Sequence, residues 1–279
     1  MSAPACVPRR LSGWGRYPVE ACCVYRPEQR HELAAVLAAG AHATYIARGA
    51  GRSYGDGALN GGGAVVSHLR LNRLLAFDGE TGVLECEAGA LIGDVVDAFL
   101  PRGWFPPVTP GTRFVTAGGA IANDVHGKNH PRAGSFASSL LGLTLLAPDG
   151  REIACSPSAS PDVFWATVGG LGLTGMITSA RIRLRRVPSP WMALDTARRP
   201  GLEETLAELD GAAARAEHAV AWMDCLARGR ARGRGVVFAG DHAAGGPGDA
   251  PKPPRRVRVP FAVPGWMMRG ASIRAFNRL

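Results

Sequence analysis

The chain has 279 residues, 46% hydrophobic and 20% charged, with 37 glycines and 21 prolines. That composition excludes a disordered or fibrous chain, leaves room for one large domain or two ordinary ones, and points to tight turns and backbone-lined sites. The formal charge of +9 is carried almost wholly by arginine, since Lys128 and Lys252 are the only lysines; such a field draws anions of many kinds, and nothing beyond it speaks for nucleic acid, so no nucleic-acid partner is assigned.

In chain order, Pro27-Glu28 opens a helix with Leu33, Val36 and Leu37 on one face, and Gly40 closes it. Tyr45 to Arg48 reads as a strand, Gly49 to Gly63 as a glycine-rich loop and Val65-Val66 as the next strand. Val83 to Ala88 alternates as a strand does. Leu91 to Leu100 has helical spacing and stops at Pro101, and Thr116 to Ala122 opens another helix. Leu140 to Leu146 predicts a buried strand, Asp149-Gly150 a hairpin turn, Pro161 to Val168 a short helix and Met176 to Leu184 a strand. The character shifts near Pro188, which sets a domain boundary between 1–187 and 188–279. Beyond it Leu202 to His218 predicts a helix, Val220 to Asp224 and Gly235 to Ala239 strands, and Gly240 to Arg256 a mobile surface loop.

The six cysteines form no C-x-x-C pair and have no companion histidine at zinc-finger spacing, so free thiols and no metal are expected. The N-terminus lacks an apolar h-region and no apolar run approaches the roughly 20 residues of a membrane span, which predicts a cytoplasmic chain whose membrane contact, if any, is peripheral.

Four blocks carry candidate chemistry. Arg48-Gly49-Ala50-Gly51-Arg52-Ser53-Tyr54-Gly55-Asp56 runs from a strand end into a loop whose glycines expose N–H groups to an anion. A plain turn-rich loop fits the same residues equally well. Pro110-Gly111-Thr112 and then Thr116 to Asn123, with Gly118, Gly119 and Ala122, place small residues at a helix start, where a pyrophosphate could sit or where a helix could pack closely on a sheet. Asp124-Val125-His126-Gly127-Lys128-Asn129-His130 gathers two imidazoles, a lysine and an amide, as a ligand-facing loop would, and a satisfied surface loop is the alternative. Gly169 to Gly175 contains G-x-G-x-x-G, but a helix precedes it and the strand containing Ile177 follows. That is the reverse of the dinucleotide fingerprint; its backbone still has the means to touch a cofactor.

Together with Gly13-Trp14-Gly15-Arg16, Asn60 to Gly63, Ser135-Phe136 and Phe164 to Gly175, these blocks resemble, in this order, the FAD-binding domain of the vanillyl-alcohol-oxidase family, also called PCMH-type. Weaker similarity continues through Ala221-Trp222 and Gly240 to His242 toward Arg274 to Asn277, so the resemblance covers essentially the whole chain. It implies an α+β fold, a two-lobed FAD-binding domain followed by the start of an α+β substrate (cap) domain. It further implies that Gly49 to Gly55 and Gly111 to Ala122 wrap the FAD pyrophosphate, and that Asn60, Gly175 and Ile177 belong to the same cofactor site. His126 and Lys128 would line the space between flavin and substrate as the catalytic pair. Many relatives attach FAD through a histidine in the first loop, where this sequence has Tyr54, so non-covalent FAD is implied.

Within the family the resemblance is greatest to the branch that oxidises polyprenyl-phosphate-linked ribose at its 2′-hydroxyl. That branch implies a nicotinamide-dependent 2′-keto reductase as partner and an anionic lipid substrate met at a membrane surface. Oxidation of a soluble sugar alcohol or aldonolactone is the rival enzyme reading, because a fold does not determine a substrate. The family's cap is completed, and an active-site lysine supplied, by sequence beyond the point matching Leu279. The chain is accordingly expected to be a fragment or one half of a split protein, and a catalytically incompetent flavin-binding module is the non-enzyme reading.

Overall fold

The computed structural model describes residues 4–246 and 263–277, and the chain divides into two units, Met1–Arg186 and Val187–Leu279. In the first unit β1 (Val7–Ser12) and β2 (Val19–Tyr25) pair antiparallel, α1 (Arg30–Ala38) follows, and β3 (Tyr45–Arg48) and β4 (Ala64–Ser67) complete a sheet of order β1-β2-β4-β3. The Glu32 carboxylate accepts the amides of Glu28 and Gln29 at 2.6 and 3.0 Å, which satisfies N–H groups at the helix start. Leu33 and Val36 are lost to solvent against Tyr25, Ala64, Val66 and Leu71. Strand β4 lies between β2 and β3 and parallel to both. Parallel neighbours cannot be joined by a tight turn, so the link from β3 to β4 must be long. Residues 49–63 are that link.

The chain then runs through β5 (Leu74–Phe77), β6 (Val83–Glu87), α2 (Ile92–Phe99), β7 (Trp104–Phe105), α3 (Ala117–Ala122) and α4 (His130–Ala133). It continues through β8 (Leu140–Leu146), β9 (Glu152–Cys155), α5 (Pro161–Thr167), β10 (Met176–Arg183) and β11 (Arg185–Arg186). These build an antiparallel sheet of order β5-β6-β10-β8-β9 and a short β11–β7 pair. The apolar stripe of α2, Ile92, Val95 and Phe99, packs into one core with Leu84, Phe136, Leu145, Phe164 and Ile182. Leu146 and Met176, from the same sheet, pack instead into the cluster beneath α1, so the two sheets share their interior.

In the second unit β12 (Met192–Arg199), α6 (Leu202–Arg215), β13 (His218–Met223), β14 (Gly235–His242) and α7 (Gly270–Phe276) follow in order. The antiparallel sheet has β14 in the middle, and Ala212 and Ala216 close on Val237 and Ala239. Buried Asp224 accepts from Arg234 at 3.0 Å, from the Leu226 amide at 3.0 Å and from Asn277 at 2.8 Å, tying the end of α7 to the turn after β13.

The fold is α+β, with mixed helices and sheets as expected. Several details differ from the sequence reading. The helix expected to reach His218 ends at Arg215, because Ala216 turns extended and His218 already opens β13. Gly240 to His242, expected to start a loop, close β14, where Gly240 pairs with Leu194 and His218; residues 247–256 of that stretch lie outside the described residues. Cys6 and Cys23, expected as free thiols, form a disulfide with Cα atoms 5.6 Å apart, while Cys22, Cys86, Cys155 and Cys225 are free. His42 brings a ring nitrogen within 4.8 Å of both disulfide sulfurs, a grouping that no spacing announces.

Candidate functional site

Strand β3 ends at Arg48 and delivers the chain to the C-terminal edge of the parallel strands, where open α/β sheets gather ligands. Gly51 and Gly55 adopt φ of +63° and +66°, a region side-chain-bearing residues rarely enter. Three interactions hold this loop from outside. The Arg48 guanidinium donates to the carbonyls of Ala58 at 2.9 Å and Ser12 at 2.7 Å, and the Trp14 amide donates to the Ser53 carbonyl at 2.8 Å. The Arg52 guanidinium stacks between the rings of Trp14 and Phe114, 5.1 and 5.5 Å from their centroids. Among the described residues, no backbone N–H from Ala50 to Gly55 donates to a protein acceptor. The loop is thus rigidly held while its donors stay open, which is the state an anion-binding backbone requires.

The second glycine segment lies against the first. A Cβ on Gly49 would overlap the Thr116 hydroxyl, and that hydroxyl caps α3 by accepting the Gly119 amide at 3.1 Å. The contact explains why position 49 has no side chain. A Cβ on Gly118 would come 2.9 Å from that of Ala88, so this glycine lets α3 settle on β6. Of the two readings of this helix start, the amides favour close packing. The Ala117 and Gly118 amides donate to Ala90 and Ala88 at 2.8 Å each, and Gly119 is taken by its cap. What the segment contributes is a wall without side chains.

Together the segments enclose a cavity of about 320 Å³. Of the expected cofactor residues, Arg48, Gly49, Gly51, Arg52, Ser53 and Tyr54 line it from the first loop, and Thr116, Gly118, Gly119, Ala122 and Asn123 from the second segment. Gly175, just before β10, and Ile177 within it supply the far wall. Gly175 has φ +145°, and a Cβ there would stand 2.6 Å from the Leu146 carbonyl. Leu171 and Gly172, in the connection between α5 and β10, also reach the cavity. Tyr54, 76% exposed, stands at its rim.

The remaining expected residues lie off the cavity wall. Asn60 is spent on structure, its amide donating to the carbonyls of Thr44 and Ala64 at 3.0 Å each. Gly127 is buried with its Cβ position 2.7 Å from the Thr109 carbonyl, so it too serves close approach. Gly55, Pro110, Gly111 and Thr112 sit outside the lining, and the Thr112 hydroxyl accepts from the Phe114 amide at 3.3 Å. His126 and Lys128 are exposed, just past the lining residue Val125, and the His126 ring lies 5.5 Å from that of His130.

One residue that sequence reasoning missed stands out. His68, directly after β4, lines the cavity at 4% exposure. Burial pushes its imidazole down to about 4, opposed by a hydrogen bond with the Ile177 backbone. A single histidine after a strand carries no motif; its position depends on packing against a residue 109 places later.

Comparison with known proteins agrees with this geometry. The family described as FAD binding domain matches residues 21–156, which include both glycine segments. Decaprenylphosphoryl-beta-D-ribose oxidase of Mycolicibacterium smegmatis is 39% identical over 240 residues, 84% of this chain and 52% of that protein. An uncharacterised protein from the mprA 5′ region of Streptomyces coelicolor is 44% identical over 61% of this chain and 44% of its own length. Cytokinin dehydrogenase 8 of Oryza sativa subsp. indica is 32% identical over 59% of this chain and 34% of its own. The chain spans about half the length, or less, of the curated relatives it matches. The donor set also fits the cofactor: open loop amides for a diphosphate, and walls without Cβ atoms where a long ligand must lie close to backbone. Residues 21–156 of this chain match the FAD-binding-domain family, and FAD is the cofactor that this match supports.

Proposed function

We propose that this protein is an FAD-dependent oxidoreductase that removes a hydride from a secondary alcohol carbon, the carbon bearing the 2′-hydroxyl of decaprenylphosphoryl-β-D-ribose. The observation that carries the reading is the meeting of Gly49 and Thr116, which joins two distant glycine segments in one cavity of open amides. The substrate follows from the likeness to the mycobacterial oxidase. At 240 residues it is longer than the 186-residue first unit, so it extends into Val187–Leu279, which we assign as the beginning of a substrate domain.

FAD, when bound, supplies the two-electron acceptor. The chain's own residues do the rest. The Ala50 to Tyr54 amides hold the diphosphate, Thr116 and Gly118 keep the facing wall bare, and Tyr54, in place of a histidine, leaves the cofactor unattached covalently. His126 polarises the substrate hydroxyl and Lys128 holds negative charge on cofactor or substrate, both from the loop that follows Val125. The net charge of +9 suits an anionic lipid phosphate met at a membrane surface. No described helix is long and apolar enough to cross a membrane, so the contact in this reading is peripheral. The 2′-keto product calls for a nicotinamide-dependent reductase, detectable as arabinose formation when such an enzyme is added.

The test is anaerobic mixing of purified, FAD-loaded chain with the polyprenyl-phosphate ribose, followed at the flavin absorbance band. Bleaching is expected. Bleaching by a soluble sugar alcohol or aldonolactone alone would move the substrate to that class, a rival kept in view because relatives named for quite different substrates also match this chain. A yellow chain that no alcohol bleaches would leave a binding module, and a colourless one would overturn the site.

A further inference from the structure

We propose that His68 is a positioning residue for the cofactor, its Nε2 making a direct hydrogen bond to a polar atom of FAD; the inference rests on the cavity being the cofactor site. Nε2 is buried and has no hydrogen-bond partner in the protein. An imidazole nitrogen left in that state is destabilising, so a buried orphan in a native fold calls for a partner that the protein itself does not supply. His68 is one of the residues that line the cavity, so the bound ligand is the partner within its reach.

The residue is also held as a preorganised contact should be. Its amide donates to the Arg48 carbonyl at 2.9 Å, and its own carbonyl accepts the Leu71 amide at 2.9 Å. Gly89 passes so close that a Cβ there would overlap that same carbonyl. With the backbone pinned on three sides and the ring against Ile177, a bound ligand meets a fixed nitrogen rather than a swinging one. Burial keeps the ring neutral at ordinary pH. With its one N–H given to the Ile177 backbone, the neutral ring offers a lone pair at Nε2, to which a ribityl hydroxyl of FAD can donate.

The test compares His68→Met, which keeps bulk but has no comparable polar atom, with His68→Gln, which keeps one. Thermal unfolding of FAD-free and FAD-saturated chain is measured beside FAD affinity from flavin fluorescence titration. For His68→Met we expect FAD affinity to fall about tenfold, the worth of one neutral hydrogen bond. The FAD-free chain is expected to melt no lower than wild type, since a buried orphan has been removed, while the FAD-saturated chain melts lower. His68→Gln should recover affinity to within about threefold, a margin well under the bond's own worth. Opposite movement of the two forms is what a purely structural histidine cannot produce. If both forms drop together with affinity unchanged, or a buried water satisfies Nε2 and both shift equally, the inference falls while the cofactor site stands. A wild-type chain that takes up no FAD would sink both.

Discussion

The ion pair beneath the cavity gives the sharpest stability prediction. Glu87, the last residue of β6 and the neighbour of the lining residue Ala88, has a carboxylate only 2% exposed. It accepts from the Arg73 amide at 2.9 Å and from Arg73 Nε at 3.1 Å. Arg73→Met removes the counter-charge and leaves the amide. Stranding a buried charge typically costs about 3–5 kcal/mol, but the Arg73 side chain is 47% exposed, so water can approach from its side and about 2–3 kcal/mol is expected. The lost bonds from Arg73 to Gln29 and Glu28 are exposed and add little.

Glu87→Gln keeps an acceptor for the amide and should cost about 1 kcal/mol, the ordinary worth of a weakened bond. The double variant buries no charge. It should therefore be more stable than Arg73→Met alone by about 1–2 kcal/mol, the non-additivity expected of partners in direct contact. Native-state amide exchange in β6 reads the first unit without interference from the second. An Arg73→Met cost below about 0.5 kcal/mol, the size of a surface pair, or a double variant no better than that single one, would refute the reasoning.

Three further outcomes are expected. Gly119→Asp has room to fold, since its Cβ position meets only the Thr116 hydroxyl at 3.0 Å, but it puts a carboxylate into the cavity wall, so the purified variant should lack flavin absorbance while melting as the FAD-free wild type does. His126→Ala should retain FAD and slow its reduction by substrate about 10²-fold or more, the range of a lost acid–base group; unchanged single-turnover rates would remove His126 from the chemistry. Burial raises the Asp224 carboxyl, but the bonds from Asn277, the Leu226 amide and Arg234 outweigh it and hold the group below the usual carboxylate range. A depressed folded pKa means stability present above about pH 3.9 and lost as pH falls through the folded value. The stability gap between wild type and Asp224→Asn, read by exchange in β14, should narrow in that acid window, and a gap constant from neutral pH into it would contradict the network.

Where the sequence spoke clearly, one physical signal was local and undiluted. Strand β3 keeps the bounds read from Tyr45 to Arg48, α2 shows its apolar spacing and stops near Pro101, and Thr116 caps the helix that the small residues announce. Strands β1 and β12 went unread because both are mostly exposed and arginine-bearing, so neither alternates between apolar and polar. Glycine content located the cavity but not the donors. That the α3 amides are consumed by Ala88 and Ala90 depends on pairing across nearly thirty residues, which composition does not encode. The Cys6–Cys23 bridge and the place of His68 are likewise products of tertiary packing.

The far wall of the cavity belongs to β10, which lies between β6 and β8 and so separates strands that precede it in the chain. During synthesis β6 and β8 leave the ribosome well before their common partner does. They wait with unpaired edges until Met176–Arg183 arrives. Cofactor capture is therefore a late event in the life of the nascent polypeptide, and a chain stalled upstream of Gly175 has two glycine segments but no cavity for them to close.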